Sequence, residues 1–124
     1  MREAIRYLNN AKEILKSVSI EGHFYSDKKP VREAFGTAYL AILEAVNEAL
    51  LKKGYTEKEL PKSVEEYRKA LAKHVSAHNG KVIKEFNHLY DGLHVYGYYR
   101  GGIDNVDAVK GYFRATREFI EKVK

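Results

Sequence analysis

Residues 87–102 hold the highest density of side chains that could do chemistry. This stretch contains two imidazoles, four phenols and a guanidinium, interrupted by four glycines. Histidine and arginine can bind phosphate and tyrosine rings can stack on bases, so the combination indicates recognition of single-stranded RNA or of a nucleotide. The alternative is that the tyrosine rings pack against the rest of the protein, which is the commoner role of such residues. The candidate binding residues are His88, Tyr90, His94, Tyr96, Tyr98, Tyr99 and Arg100.

Other kinds of catalytic site find little support in the residue types. The chain has no cysteine, which excludes thiolate nucleophiles, zinc-thiolate sites and disulfides and agrees with a reducing cytoplasm. No serine lies in a Gly-x-Ser-x-Gly sequence, and the glycines of residues 97–102 lack the Lys-Ser or Lys-Thr pair of a phosphate-binding loop. His74 and His78 have the spacing of two metal ligands on a helix, but no carboxylate stands at a suitable offset. We therefore expect no metal and no cofactor.

The net charge is weak support for a nucleic-acid partner. The 22 basic and 17 acidic residues leave a formal charge of +5. The excess is shared by both halves of the sequence, whereas proteins that bind nucleic acids usually gather their lysines and arginines on one face or in a tail. Two explanations stay open, namely contact with RNA and a surface that is merely soluble.

The elements that must position these residues are predicted to be helices. Apolar residues recur at intervals of three and four almost throughout the chain, and convincing strand alternation is lacking. Gly22 and Gly54 are stop signals for the first two helices. The predicted helices cover residues 2–20, 27–54, 63–78, 81–93 and about 105–122.

Local patterns at the helix starts support these boundaries. Asp27 can cap the second helix, and Asp104 or Asn105 can cap the last one. Residues 56–59 and 63–66 have the spacing of capping boxes. The short connections favour antiparallel neighbours, so we predict a single all-α domain over residues 1–124, folded as an up-and-down bundle of four to five helices.

The second helix is predicted to be the central one. One face is rich in alanine, which would let a neighbouring helix approach closely. The opposite face carries Tyr39, Leu43, Val46 and Leu50, more apolar surface than a solvent-facing side needs, so a partner subunit or a further helix is expected to cover it. The first residues alternate charged with apolar side chains, and we predict neither a signal peptide nor a membrane span. The expected location is the cytoplasm, without membrane contact.

The order of these elements resembles the HEPN superfamily, small helical bundles found in prokaryotic toxins and nucleotidyltransferase-associated proteins. The resemblance rests on the first helix (residues 7–15), on the alanine- and tyrosine-bearing second helix (34–54), on Ser63-Val-Glu-Glu-Tyr67, on residues 86–99 and on the closing helix. It implies an HEPN-like bundle that forms a homodimer and is associated with a protein partner, a minimal nucleotidyltransferase.

Active members of that superfamily carry an Arg-x4-6-His motif used for metal-independent RNA cleavage. A cation there steadies the charge that develops on phosphate, and the imidazole manages a proton. His94 is the matching histidine here, but residues 87–89 include no arginine, and Arg100 follows instead of preceding it. A literal match, from Arg68 to His74, falls one helix too early.

These observations define a leading hypothesis and two rivals. The leading hypothesis is a non-catalytic, toxin-antitoxin-associated HEPN-like module that binds a protein partner or RNA. The first rival is a divergent RNase toxin with His94 as its catalytic residue, helped by His88, Tyr96 or Arg100. The second is a stand-alone RNA or nucleotide binder.

Overall fold

The computed structural model describes residues 2–74 and 80–124, and over these ranges the chain folds mostly into helices. The prediction of an all-α bundle is confirmed at this level, with five α-helices in the described residues. The predicted end of the third helix, near His78, lies outside them. In chain order the elements are α1 (Arg2–Leu15), β1 (Ile20–Glu21), β2 (Phe24–Tyr25), α2 (Lys28–Lys52), a 3-10 turn (Glu57–Glu59), α3 (Val64–His74), α4 (Lys81–Leu89), a π-helix (Tyr90–Tyr99) and α5 (Val106–Val123).

α2 is the central helix, as predicted, because it contacts α1, α3, α5 and the π-helix. Its buried side includes Ala34, Ala38 and Ala45, whose small side chains allow close helix approach. Phe35 anchors the contact with α5, since its ring lies edge-on to those of Tyr112 and Phe113, with both centroid distances at 5.9 Å.

The second apolar face of α2 is largely covered within the chain. Val46 and Leu50 are fully buried, and Tyr39 is half-buried against rings of the π-helix. The Tyr67 hydroxyl of α3 donates a hydrogen bond to Asn47 Oδ1 at 2.9 Å. A partner subunit or a further helix was predicted to cover this face. For Val46 and Leu50 the cover comes from within the chain.

The predicted first helix was too long. α1 ends at Leu15, and the two strands that follow form an antiparallel hairpin around Gly22, whose φ is +63°. Residues 17–20 alternate serine with β-branched residues, all of which are weaker helix formers than alanine or leucine. The hairpin is bound to the start of α5, because the Tyr25 amide donates to the Asp104 carbonyl at 3.0 Å. The local sequence pattern does not predict this pairing, because its two partners lie far apart in the sequence.

The predicted helix caps are confirmed. The Lys29 amide donates to Asp27 Oδ1 at 3.1 Å, and the Ala108 amide donates to Asn105 Oδ1 at 3.0 Å. Residues 56–59 form the predicted capping box, and in residues 63–66 the N3 amide donates to the serine hydroxyl. Hydrogen bonding to Thr56 lowers the pKa of Glu59.

α2 is also long and apolar enough to cross a membrane when judged by length and composition, with a mean hydropathy of 1.3 in its most apolar window. No segment of that length was predicted from the sequence. Half of this window is buried inside the fold, and a core helix of this kind passes the same test. Its apolar content is explained by its central position.

Candidate functional site

The candidate stretch is a π-helix, not the end of an α-helix followed by a loop. The Arg100 amide donates to the Val95 carbonyl, five residues earlier, at 2.9 Å. Gly101 then takes a left-handed conformation with φ of +64°, and the Gly102 amide donates to the Tyr96 carbonyl at 2.9 Å. π-Helices are rare, usually span one turn, and occur often at functional sites. This one covers ten residues.

Glycines allow this segment to pack closely on its neighbours. A Cβ at Gly97 would lie 2.4 Å from Phe35 Cγ, and one at Gly92 would lie 2.1 Å from Tyr112 Cε1. The Tyr98 ring packs in turn on Gly36 of α2. The glycines predicted to break a helix thus admit aromatic rings against the backbone.

Arg32 of α2 holds the end of the π-helix. Its Nε donates to the Tyr98 carbonyl at 2.8 Å and its Nη2 donates to the Tyr99 carbonyl at 2.6 Å. The same side chain packs against Gly101. Sequence analysis missed Arg32, because nothing near it in the sequence indicates a partner in the π-helix.

Four rings in mutual contact form a cluster that we call the aromatic ladder: Tyr39, Tyr90, His94 and Tyr98. The His94 ring centroid lies 4.8 Å from that of Tyr39, 5.4 Å from that of Tyr90 and 6.0 Å from that of Tyr98. Three ladder residues were predicted for the site, whereas Tyr39 was assigned to a helix face instead. His94 is therefore a half-buried imidazole among three phenol rings.

A cation reaches the ladder from α3. The Arg68 guanidinium carbon lies 5.3 Å from the centroid of the Tyr90 ring. Its Nε donates to Asn87 Oδ1 at 2.6 Å, and its Nη1 forms an ion pair with Glu65. Arg68 thus contacts the ring that stacks on His94, although the sequence match had paired it with His74.

Burial in the ladder changes the acidity of its phenols. Burial, together with the nearby Tyr90 and Tyr67 hydroxyls, raises the pKa of Tyr39 to about 12, although Arg68 acts in the opposite direction. Burial likewise raises the pKa of Tyr67. At neutral pH these hydroxyls are protonated donors, which leaves them unsuited to act as general bases.

The remaining predicted residues lie beside the ladder. His88 is exposed and stacks on Tyr112, with centroids 5.5 Å apart. The Arg100 guanidinium lies 5.6 Å from the Tyr96 centroid. No contact between described residues brings Arg100 to His94, where the motif arginine would lie.

The end of the π-helix also borders a groove of about 420 Å³, which we call the tyrosine–lysine groove. The Tyr98 and Tyr99 side chains are 46% and 71% exposed. Lys28 and Lys29, at the start of α2, are exposed beside them. Its described lining residues are Lys28, Lys29, Arg32, Glu33, Tyr98 and Tyr99.

A metal site finds no support in the described part of the chain. No group of three histidine, aspartate or glutamate residues is arranged there to hold an ion. His74 packs edge-on against Tyr55 at a centroid distance of 5.1 Å. Its predicted companion, His78, lies outside the described residues.

The chain belongs to the family described as domain of unknown function DUF5618, whose model matches residues 1–124. It is also similar to the solved structure of a protein of unknown function from Dyadobacter fermentans, with a TM-score of 0.79 and 33% sequence identity over 98% of this chain and 90% of that one. No curated protein matches the chain.

Proposed function

We propose that the protein is a non-catalytic helical module that binds single-stranded RNA or a nucleotide in the tyrosine–lysine groove. The observation that supports this best is the presence of two exposed tyrosine rings beside two exposed lysines at the edge of one groove. Aromatic rings stack on bases of any sequence, and lysines neutralise phosphates. The pairing supplies both parts of nucleotide recognition.

The rigidity of the groove supports the same proposal. Arg32 fixes the backbone of Tyr98 and Tyr99 through two hydrogen bonds, and the Tyr98 ring packs on Gly36. A ring that is already held in place loses less conformational freedom when a base stacks on it. The guanidinium of Arg32 adds positive charge to the groove, against the single described carboxylate there, that of Glu33.

The contacts of His94 favour binding over catalysis. An RNase of the expected kind needs a cation beside its imidazole, whereas His94 contacts three phenol rings. Arg68, which contacts the next ring, already binds Asn87 and Glu65. Both groups therefore have structural roles that explain their positions.

The wider setting of this module rests on the HEPN resemblance. On that basis we propose an HEPN-like cytoplasmic homodimer that also binds a protein partner, a minimal nucleotidyltransferase. Leu40 of α2, which is 47% exposed, is a suitable contact for a second copy. Sedimentation equilibrium of the protein and of Leu40→Glu tests this part, because a dimer through α2 would dissociate in the variant.

Binding of a fluorescent oligouridylate, followed by polarisation at low salt, tests the RNA proposal. Stacking on an aromatic ring contributes roughly 1–3 kcal/mol per base, so Tyr99→Ala should weaken binding by about tenfold or more. The double variant Lys28→Ala/Lys29→Ala should bind more weakly and show a smaller dependence on salt. Tyr96→Ala is the matched control, since Tyr96 is 50% exposed on the same π-helix but does not line the groove.

The outcomes of this experiment are distinct. If Tyr99→Ala and Tyr96→Ala lose the same amount of RNA affinity, any exposed tyrosine of the π-helix binds RNA and the groove has no special role. No binding of RNA or of nucleotides at low salt would remove the proposal.

A second candidate function is favoured by one observation, the contact of both Arg68 and His94 with the Tyr90 ring. In this alternative the protein is a metal-independent RNase with His94 as its catalytic residue, and α3 supplies the cation that the motif lacks. RNA cleavage in the presence of a chelator, abolished by His94→Phe and by Arg68→Ala but not by His88→Ala, would establish it. His94→Phe keeps a ring in the ladder, so loss of cleavage with unchanged helicity would reflect the imidazole.

A further inference from the structure

A second groove lies between α1 and α5 and shares no described lining residue with the tyrosine–lysine groove. We call it the basic groove. Its volume is about 520 Å³, within the roughly 300–1,000 Å³ typical of small-molecule sites. Its floor consists of four largely buried side chains, Leu15, Tyr25, Val109 and Phe113. The floor is therefore apolar.

The rim of the basic groove is positively charged on both sides. The rim residues are Lys12 on α1, Lys16 just after the end of α1, and Lys110, Arg114 and Arg117 on α5. The spacing of three or four residues places the three α5 cations on one face of that helix. No carboxylate lines the groove among residues 2–74 and 80–124. Such a concentration of one sign of charge beside an apolar floor attracts anions.

Several of these cations lack a partner among the residues that the structure describes. Lys16 pairs with Glu13 at 3.0 Å, but Lys12, Lys110 and Arg114 make no ion pair or hydrogen bond with any described residue. Surface lysines and arginines often stand alone, so this alone does not define a site. It does leave three cations available to a ligand.

Tyr25 provides an independent observation. Its side chain is 9% exposed and lines the groove, and burial raises its pKa. Over the described ranges its hydroxyl has no hydrogen-bond partner. The hydroxyl is therefore available to donate a hydrogen bond to an anion that binds in the groove.

We propose that the basic groove binds a small amphiphilic anion, with an apolar chain on the floor and a phosphate or carboxylate head held by the rim cations. Two other occupants fit less well. Stacked RNA bases need exposed ring faces, whereas Phe113 and Tyr25 are only 5% and 9% exposed. An acidic helix needs an apolar stripe several turns long, whereas this floor holds four side chains.

Titration with octyl phosphate below its critical micelle concentration, followed by amide chemical shifts in NMR, tests the assignment. Shifts should concentrate at Leu15, Tyr25, Val109 and Phe113. Removing one head-group cation with Lys110→Ala should weaken binding by about tenfold, and raising the salt should weaken it further. Lys84→Ala is the matched control, because Lys84 is an exposed lysine of α4 outside the groove.

Two further ligands test the contributions of the phosphate head and of the alkyl chain separately. Inorganic phosphate and octanol should each bind far more weakly than octyl phosphate. Equal affinity for inorganic phosphate would reveal a site for anions alone and would overturn the proposal. So would equal losses in Lys110→Ala and Lys84→Ala, or shifts that fall at Tyr98 and Tyr99.

Two further probes decide between occupants. An oligonucleotide or an acidic amphipathic peptide that shifts the same residues at lower concentration than octyl phosphate would replace the proposed ligand class. Binding to phosphatidylglycerol vesicles without any response to free octyl phosphate would assign the groove to a membrane surface and not to a free amphiphile. Tyr25→Phe should weaken octyl phosphate binding without lowering the melting temperature, and unchanged affinity would remove the hydroxyl from the site.

Discussion

The aromatic ladder and the basic groove use their polar groups in opposite ways. In and around the ladder, imidazole, phenol and guanidinium groups contact one another, and the arginines Arg32 and Arg68 hydrogen-bond to the protein. At the basic groove, Lys12, Lys110 and Arg114 have no partner among the described residues. A cluster of chemically capable residues in the sequence can therefore be mainly structural, while scattered lysines converge on an open surface.

A dense run of chemically capable residues need not act together as one site. Residues 90–99 are unusual because they must form a π-helix that accepts aromatic rings against its glycines. Most of their polar and aromatic side chains pack against other residues of the protein. The part that stays accessible, around Tyr98 and Tyr99, is the part we propose for binding.

The largest expected effect comes from breaking the packed region at Gly97. Gly97→Ala places a methyl group 2.4 Å from Cγ of the fully buried Phe35, and overpacking of this kind should lower the free energy of unfolding by about 3 kcal/mol. Gly111→Ala is the control, because nothing lies within 4 Å of its added Cβ in α5. That variant should gain roughly 0.5–1 kcal/mol from helix propensity. Urea unfolding measures both, and similar values for the two variants would contradict the packing account.

A smaller effect is expected from removing the hydrogen bonds of Arg32. Arg32→Ala leaves the Tyr98 and Tyr99 carbonyls without their donors and should cost about 1.5 kcal/mol. Hydrogen exchange should accelerate at the amides of Arg100 and Gly102, which close the π-helix. The matched change at the open region, Arg114→Ala, should leave the stability within about 0.5 kcal/mol of the parent. If Arg114→Ala costs as much as Arg32→Ala, the proposed contrast between the two regions is wrong.

The smallest expected effect concerns Tyr39, because it changes the stability only at alkaline pH. The unfolded chain releases a phenol proton near pH 10, whereas folded Tyr39 holds its proton until about pH 12. Because the unfolded state then binds fewer protons, this group makes stability fall as the pH rises through that window. Absorbance titration at alkaline pH should show a late tyrosine step that disappears in Tyr39→Phe. A Tyr39→Phe titration identical to that of the parent would contradict the burial of this hydroxyl.

The sequence predicted those features that depend on neighbouring residues. Asp27 and Asn105 were recognised as caps because a capping side chain bonds an amide only two or three residues away. The central helix α2 was identified from apolar residues that recur three or four positions apart, which is also a short-range pattern. Residues 90–99 were recognised as unusual, and the structure brings three of the seven predicted binding residues, Tyr90, His94 and Tyr98, into ring contact.

The features that the sequence did not predict depend on distant residues. The hairpin is bound by Asp104, the π-helix depends on Phe35 fitting over Gly97, and its end is held by Arg32. The helix and strand propensities of neighbouring residues do not predict these pairings, because each depends on tertiary packing. The basic groove was not predicted for the same reason, since its cations lie in two segments far apart in the sequence, residues 12–16 and 110–117.

The pairing of the hairpin with the start of α5 has a consequence for the order of folding. Tyr25 binds Asp104, and Val106 binds the His23 carbonyl, so these contacts close a long loop and are slow to form compared with helices. During synthesis the hairpin emerges well before α5, so it must wait for its hydrogen-bond partners Asp104 and Val106. Both walls of the basic groove can meet only at that stage. Ligand binding there would thus stabilise the finished fold selectively, because a chain that stops before α5 lacks one wall.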